Sequence, residues 1–329
     1  MKTEGDEMNA PAIAEKVNAV QKRGSRTRTV WKVMKKNLPL FSMSLPGILF
    51  KMIFSYLPLF GLILAFKHFR VDKGIWGSDW AGFQNFQFLF RSNNAWIITR
   101  NTVLYNGAFI VITMIVAITL AVLLNELSSR WMKVHQTILF IPYFISWVVI
   151  GYIVQAFLDH QHGFVNQVLT ALGLESVKWY QEARFWPYIL TAAQLWKTVG
   201  FSTLIYYAGI IGIDPTYYEA AKIDGASRWK MTTQITLPLL TPLIVILFIV
   251  ALGNIFRADF GLFYFVPNDS SFLYPVTDVI DTYVYRSLKV MGDIGMSTAV
   301  GLYQSLIGFV LVITANFIIR KINREHSLW

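Results

Sequence analysis

A bilayer core about 30 Å thick is crossed by roughly 20 residues of helix. Six stretches of this 329-residue sequence reach that length with polar residues at their flanks: about 43–66, 103–124, 136–157, 187–211, 238–255 and 297–319. Backbone N–H and C=O groups find no water in lipid, so a spanning segment must satisfy them within itself, and a continuous apolar run of this length does so as a helix. Hydrophobic residues make up 55% of the chain and charged residues only 15%, more apolar surface than a soluble fold of this size buries. The sequence therefore predicts an all-α polytopic membrane protein with a six-helix core and the lipid bilayer as its solvent. Six spans place both termini on one side.

The charge distribution says which side. Assigning the amino terminus to the cytoplasm gives the inner segments 17 Lys+Arg and the outer loops 10, the direction that the positive-inside rule requires, with residues 1–42 supplying much of the margin. The formal net charge of +10 is spread over loops between apolar runs. That pattern suits a membrane surface better than a nucleic acid. Residues 1–42 form a basic cytoplasmic tail, residues 43–321 the transmembrane domain and residues 322–329 a short cytoplasmic tail. From about Ala12 to Lys36 the amino-terminal tail mixes Val, Trp and Met with Lys and Arg, which suits a helix lying on the anionic inner leaflet or a flexible basic arm. This region lacks a short apolar core followed by a small-residue cleavage site, so no removable signal peptide is expected. Outer loops near 67–102, 158–186 and 256–296 are long enough for short interfacial helices or a periplasmic lip. The absence of cysteine excludes disulfides and thiolate-ligated metal.

The inner loop 213–238 carries the most specific pattern. Asp214 followed by Pro215 starts a helix, because the carboxylate accepts from free amides while proline occupies a first-turn position that needs no donor. The spacing predicts a short helix from Pro215 to about Asp224, a left-handed turn at Gly225, a second short helix from Ala226 to Gln234, and Pro238 opening the fifth span. A connection of this length exceeds what joining two spans requires. A rigid lever and an interfacial hairpin without a partner both fit the geometry.

Glu219-Ala220-Ala221, then Gly225, then Ile235, Leu237 and Pro238 resemble, at every fixed position and spacing, the EAA signature of ABC importer permeases. Phe54-Ser-Tyr-Leu-Pro58, Ala65-Phe-Lys67, Gly82-Phe-Gln-Asn85, Leu123-Leu-Asn-Glu126, Phe144-Ile-Ser-Trp147, Trp196-Lys197 and Asp278-Val-Ile-Asp-Thr-Tyr-Val-Tyr-Arg286 look like the LplB-like branch of carbohydrate permeases, related to importers of pectin and alginate fragments. The resemblance runs from about Leu45 to Lys321 and departs in the long amino-terminal tail. It implies a MetI-like permease fold in the cytoplasmic membrane of a bacterium, with the loop containing Glu219, Ala220, Ala221, Asp224 and Gly225 as a coupling helix seated on a cytoplasmic ATPase. It also implies a second, similar permease, two ATPase subunits that hold ATP and magnesium, an extracytoplasmic solute-binding protein and an oligosaccharide cargo.

No Gly-x-x-x-x-Gly-Lys-Ser/Thr loop is present to cradle nucleotide phosphates, so energy must come from another subunit, and no cofactor is assigned to this chain. No Gly-x-Ser-x-Gly elbow supports hydrolysis. His160 and His162 lack a third ligand, and a solvated loop outweighs a metal site there. Lys197 lies ten residues into the fourth span, roughly 15 Å down a helix. Ionisable groups at that depth are functional candidates. Lys197 either lines the pathway and attracts sugar oxygens or pairs with an acidic neighbour or snorkels. Trp147, Tyr152, Gln194, Trp196 and Asn254 combine aromatic faces and amides that suit sugar rings, although each type is also common as packing. Arg257 is a candidate contact for a docked binding protein, and Lys51 is expected to snorkel. The alternative of an ion-gradient transporter requires buried acidic groups that the six stretches almost entirely lack.

Overall fold

The structure is a computed structural model that describes residues 36–322. The amino-terminal stretch 12–36, expected as an interfacial helix or a flexible arm, and the carboxyl-terminal tail 322–329 therefore lie outside the described residues, Lys36 and Ile322 apart. Two units divide at Leu62 and Ile63.

In the first unit, α1 (Leu38–Lys51) continues through a π-helical turn, Met52–Tyr56, into a 3-10 stretch, Leu57–Phe66, whose last four residues belong to the second unit. Pro58 accounts for the change of winding. It has no N–H to give to the carbonyl four residues back, and its ring crowds that carbonyl, so the preceding turn widens. The helical run Leu38–Phe66 begins five residues before the expected span.

In the second unit, α2 (Asn93–Asn125) starts where the Ser92 hydroxyl accepts from the Asn94 amide at 3.2 Å, ten residues earlier than expected. It packs along α6 (Trp186–Ile211) in the most extensive helix pair of the fold. Ala117 and Ala121, one helical turn apart and fully buried, let the two backbones approach while Val199, Tyr206, Ile210 and Leu240 close around them. A second core, of Tyr105, Phe109, Ile150, Trp186, Leu190, Leu262 and Phe263, gathers at the other end of the same pair.

Two expectations about the spans need correction. The stretch 136–157 is not one continuous helix: α3 (Ser129–Phe140) gives way to a 3-10 turn, Ile141–Phe144, and α4 (Trp147–Leu158) leaves it at 96°. Pro142 interrupts the ladder, Ile145 and Ser146 are extended, and the Ser146 side chain caps the new helix at Val149 N (3.4 Å). The six segments are also not equally apolar. Among the described residues four helices are long and apolar enough to cross a membrane, or five if the bent pair is one span. With 26 residues, α6 is long enough at about 39 Å, but Gln194, Lys197, Thr198, Ser202, Thr203, Tyr206 and Tyr207 lower its hydropathy. Its neighbours, more than lipid, supply its surroundings.

After α6 come α7 (Pro215–Ile223) and α8 (Arg228–Met231), then a π-helical turn, Thr232–Thr236, and α9 (Leu237–Gly253). Pro238 does not open a separate span, because helix is continuous from Arg228 to Gly253. The π turn ahead of Pro238 repeats the accommodation seen ahead of Pro58. The last long helix is α12 (Ile294–Ile322). Loops at the end opposite the α7 turn fold as short helices, as expected, including α5 (Phe164–Ala171), α10 (Phe260–Phe265) and α11 (Ile280–Arg286). They also hold an antiparallel strand pair, β1 (Lys67–His68) with β2 (Asp79–Trp80), in the register Lys67↔Trp80.

Gly200 marks the closest helix contact: a Cβ there would sit 1.8 Å from the Leu139 carbonyl oxygen of α3. Gly200→Ala is expected to force α3 from α6 at a cost of at least about 1–3 kcal/mol. A clear fall in the thermal unfolding midpoint of the detergent-purified protein checks this, and an unchanged midpoint refutes the packing.

Candidate functional site

The loop between α6 and α9 is a compact finger. The Asp214 side chain accepts from Thr216 N at 2.9 Å, and this bond holds its carboxyl below the usual carboxylate range. Asp224 caps the far end of α7, and Gly225 takes φ 74°. The Gly225 amide bonds to Lys222 O (3.1 Å) and the Ala226 amide to Ala221 O (2.9 Å), the paired bonds of a Schellman turn, which a side chain at Gly225 would strain. Ser227 then caps the second helix through Lys230 N. Two bonds tie the finger to the bundle. Tyr218 OH meets Thr236 Oγ1 at 2.9 Å, and Arg228 Nη1 meets Glu126 Oε2 at 2.6 Å. A cavity of about 440 Å³ lies behind it, lined by Asn125, Glu126, Tyr218, Lys222 and Arg228 among others. Glu219 and Ala220 are exposed, Ala221 and Ile235 half-buried. Tyr217, Ile223 and Trp229 expose large apolar surfaces beside them. Leu237 and Pro238 belong to the continuous helix of α9.

Lys197 is placed by the broken span. Its Nζ donates to the carbonyl oxygens of Tyr143 (2.9 Å) and Ile145, and stands 5.3 Å from the Trp147 ring. The extended residues of the bend leave these carbonyls without helical partners, and the ammonium replaces the missing donors. No acidic residue pairs with Lys197 among the described residues. Trp147 Nε1 donates to Asp259 Oδ2 at 2.7 Å, and Asp259 also caps α10 at Gly261 N. Gln194 and Lys197 are three residues apart on α6 and so share a face. The Gln194 Oε1 atom is buried with no hydrogen-bond partner among the described residues. The structure thus brings Trp147, Lys197 and Asp259 together, with Gln194 on the same helix face. Tyr152 and Trp196 are exposed and make no hydrogen bond or ring contact among the described residues. Asn254 donates to Val250 O of its own helix, and Arg257 is exposed in the following turn.

Asp259 escaped the sequence reading because a lone aspartate in a loop carries no spacing signal. A second group missed there is the cluster around Arg286. Its guanidinium meets Asp278 (2.5 Å) and Asp269 (2.9 Å) and lies 4.1 Å from the Tyr274 ring centroid. Burial pushes the Asp278 carboxyl up, and Arg286 opposes that shift. Burial also raises Asp281, against the Ala258 amide that donates to it at 2.8 Å. The signal was available, since Asp278 and Arg286 flank one short helix. No group of three or more potential metal ligands occurs among the described residues, His160 and His162 included.

Residues 113–324 match the family described as binding-protein-dependent transport system inner membrane components. The chain is 32% identical over 320 residues to the polygalacturonan/rhamnogalacturonan transport system permease protein YteP of Bacillus subtilis strain 168, covering 97% of this chain and 98% of that one. Protein LplB of the same organism is 31% identical over 89% of this chain and 92% of its own. A chain in a crystal structure of a bacterial ABC transporter involved in the import of the acidic polysaccharide alginate superposes with a TM-score of 0.81 at 34% identity, covering 90% of this chain and 99% of that chain. A second structure of the alginate transporter, with an alginate-pentasaccharide-bound periplasmic protein, gives 0.80 at 34% identity, over 89% of this chain and 97% of that one. Family match, fold and apolar helices agree: this chain belongs to the binding-protein-dependent transport system inner membrane components, as a multi-pass membrane permease.

Proposed function

We propose that the chain is one of two permease subunits of an ATP-driven importer of oligosaccharides, with acidic fragments of the alginate or pectin type as cargo. The observation that carries this reading is similarity along nearly the whole chain to both a polygalacturonan/rhamnogalacturonan permease and a chain of an alginate importer. The working complex adds a second permease, an extracytoplasmic solute-binding protein and two ATPase subunits that hold ATP and magnesium. This subunit gates and lines a path and performs no covalent chemistry. Both termini face the cytoplasm, with residues 1–42 and 322–329 as tails around the domain 43–321, in keeping with the basic bias of the inner segments.

The finger is the coupling element. Its fixed base and its exposed Glu219, Tyr217 and Ile223 suit a lever seated in a groove of the ATPase. Closure of the ATPase dimer on ATP moves both fingers and opens the bundle outward, and hydrolysis with release returns it. Trp147, Tyr152, Gln194, Trp196 and Asn254 line the path, and Arg257 faces the docked binding protein. The unpartnered Gln194 oxygen supports this, since a buried acceptor left alone costs about 1–3 kcal/mol and a cargo hydroxyl satisfies it. Lys197 gives two of its three donors to carbonyls of the bend, so on this reading it shapes the path more than it grips the cargo.

Changing Glu219 to Arg together with Gly225 to Val places a bulky residue in a left-handed site, at about 1–2 kcal/mol, and reverses a charge on the docking face. Oligogalacturonate uptake by the reconstituted complex is expected to fall by about tenfold or more, the equivalent of 1.4 kcal/mol. Uptake at the wild-type rate sinks the coupling role. For Lys197→Met, two carbonyls lose their donor at about 1–3 kcal/mol each. The unfolding midpoint should drop by several degrees and uptake of acidic and neutral saccharides should decline in parallel. A loss confined to acidic cargo, at unchanged stability, returns Lys197 to direct contact.

A further inference from the structure

The finger follows Ile211, at one end of α6. At the other end, just ahead of Trp186, the chain encloses a cavity of about 330 Å³ between the end of α4, residues 178–181 and the turn at Asn268. Its frame is locked. The buried Asn166 side chain donates to Asp159 O, His160 O and Val177 O and accepts from Val177 N and Trp179 Nε1, at 2.9–3.2 Å. Ser270 Oγ donates to Tyr180 O at 3.0 Å, which joins the 178–181 segment to the loop carrying Asn268. Asn268 itself is held at φ 53°, a left-handed conformation for a non-glycine residue, next to Asp269 in the Arg286 cluster.

The lining is the opposite of the frame. Gln155, His160, Lys178, Gln181 and Asn268 line the cavity and their side chains make no hydrogen bond among the described residues, while Trp179 is partly exposed beside them. Asp159, also in the wall, is occupied by the amides of Gln161 (3.0 Å) and His162 (2.7 Å). Three free carboxamides, an ammonium and an imidazole set against an indole form a recognisable donor set. Carboxamides can bond vicinal hydroxyls in both directions, an indole packs against the C–H face of a pyranose, and an ammonium attracts a carboxylate. The concave shape suits one sugar ring better than a flat protein surface.

We propose that this cavity is a saccharide subsite on the outer face of the permease, separate from the path at Trp147 and Gln194, and that it takes one uronate unit of an acidic oligosaccharide. Lys178 meets the carboxylate, Gln155, Gln181 and Asn268 meet hydroxyls, and Trp179 supports the ring. The subsite gives cargo leaving the solute-binding protein a first hold on the membrane complex. It rests on the saccharide-import reading above.

The test uses the complete membrane complex in nanodiscs without its solute-binding protein, titrated with trigalacturonate and with its carboxyl-reduced counterpart by saturation-transfer NMR. Trigalacturonate should bind, and the reduced trisaccharide should bind about tenfold more weakly, the value of one charge-assisted hydrogen bond. Lys178→Gln should weaken trigalacturonate by about tenfold and leave the reduced sugar unaffected, whereas Gln155→Ala with Gln181→Ala should weaken both. These side chains are exposed, so basal ATPase activity should persist in every variant. Unchanged affinity in both variants overturns the subsite. So does a variant that impairs docking of the solute-binding protein while trisaccharide binding stays intact, which makes the cavity a protein contact. If the variants bind trigalacturonate normally and import continues, the subsite alone fails. If the wild-type complex imports no uronide, the import reading itself fails.

Discussion

Backbone carbonyls released at membrane depth must find donors within the protein, and the seat of Lys197 on Tyr143 O and Ile145 O meets that demand at the sharpest bend of the fold. An α-helix cannot turn through 96° and keep its ladder. Pro142 and the extended pair Ile145 and Ser146 break it, Ser146 restores donors to the new helix, and the ammonium takes the acceptors left behind. The same solution recurs at the end of the first helical run, where the buried Lys67 Nζ donates to the carbonyls of Ile75, Trp76 and Ser78 at 2.9–3.2 Å. Asn85 adds donors to Ala65 O and Lys67 O. Asn106 does so for Ile255 O and Arg257 O, in the turn that follows α9. Each irregular segment is thus held by a polar side chain from a neighbouring element.

The loops at that end of the bundle are fixed by charge as well as by carbonyl capture. Arg286 is largely buried between Asp269 and Asp278, and Thr282 donates to Asp278 at 2.7 Å, so the buried carboxylate is both paired and hydrogen-bonded. Removing one partner from such a group strands a charge, which costs about 3–5 kcal/mol and makes the cluster all-or-none. Its position links three elements: Asn101 of α2 donates to Asp278 O, Thr102 accepts from Ile280 N, and Asp281 of α11 receives both Ala258 N and Gln304. On the import reading, a lip tied at this many points suits a surface that meets the solute-binding protein in one orientation.

How far the sequence disclosed this structure depended on whether a feature is local. The first helix and the turn of the finger were legible almost to the residue, because Asp214, Pro215 and Gly225 act on their own backbone within a turn, whereas the Ser227 cap and the helical continuity across Pro238 were not read. Span lengths were legible because apolar runs report lipid directly, yet helix starts were misplaced where polar turns such as 93–102 continue a helix into the lip. The bend at 141–146 was missed because a single proline inside an apolar run only permits a break. The carbonyls such a break frees are met by Lys197, more than fifty residues away. The same distance hid the role of Lys197, since a lysine at membrane depth reads equally as ligand, ion pair or cap until its neighbours are known. Arg286 was visible within a quoted motif, but its partner Asp269 lies in a left-handed turn that residue order does not advertise.

The continuity of the finger with α9 carries the mechanical argument further than the motif does. Had Pro238 begun a separate helix, a push at the fingertip would dissipate in the joint before it. Instead Arg228 to Gly253 forms one helical rod, with its only softening at the π turn Thr232–Thr236 and at Pro242. Tyr218 clamps α7 to Thr236 at the end of that turn, and Arg228 clamps the rod's first residue to Glu126 at the end of α2. On the coupling reading, displacement of α7 therefore reaches the bundle by two routes, through α9 and through α2. Since α2 packs along the whole of α6, the second route leads to the helix that carries Gln194 and Lys197. On that reading the finger and the proposed path are joined through packed helices and two polar clamps, the minimum a lever would need in order to open a gate it does not touch.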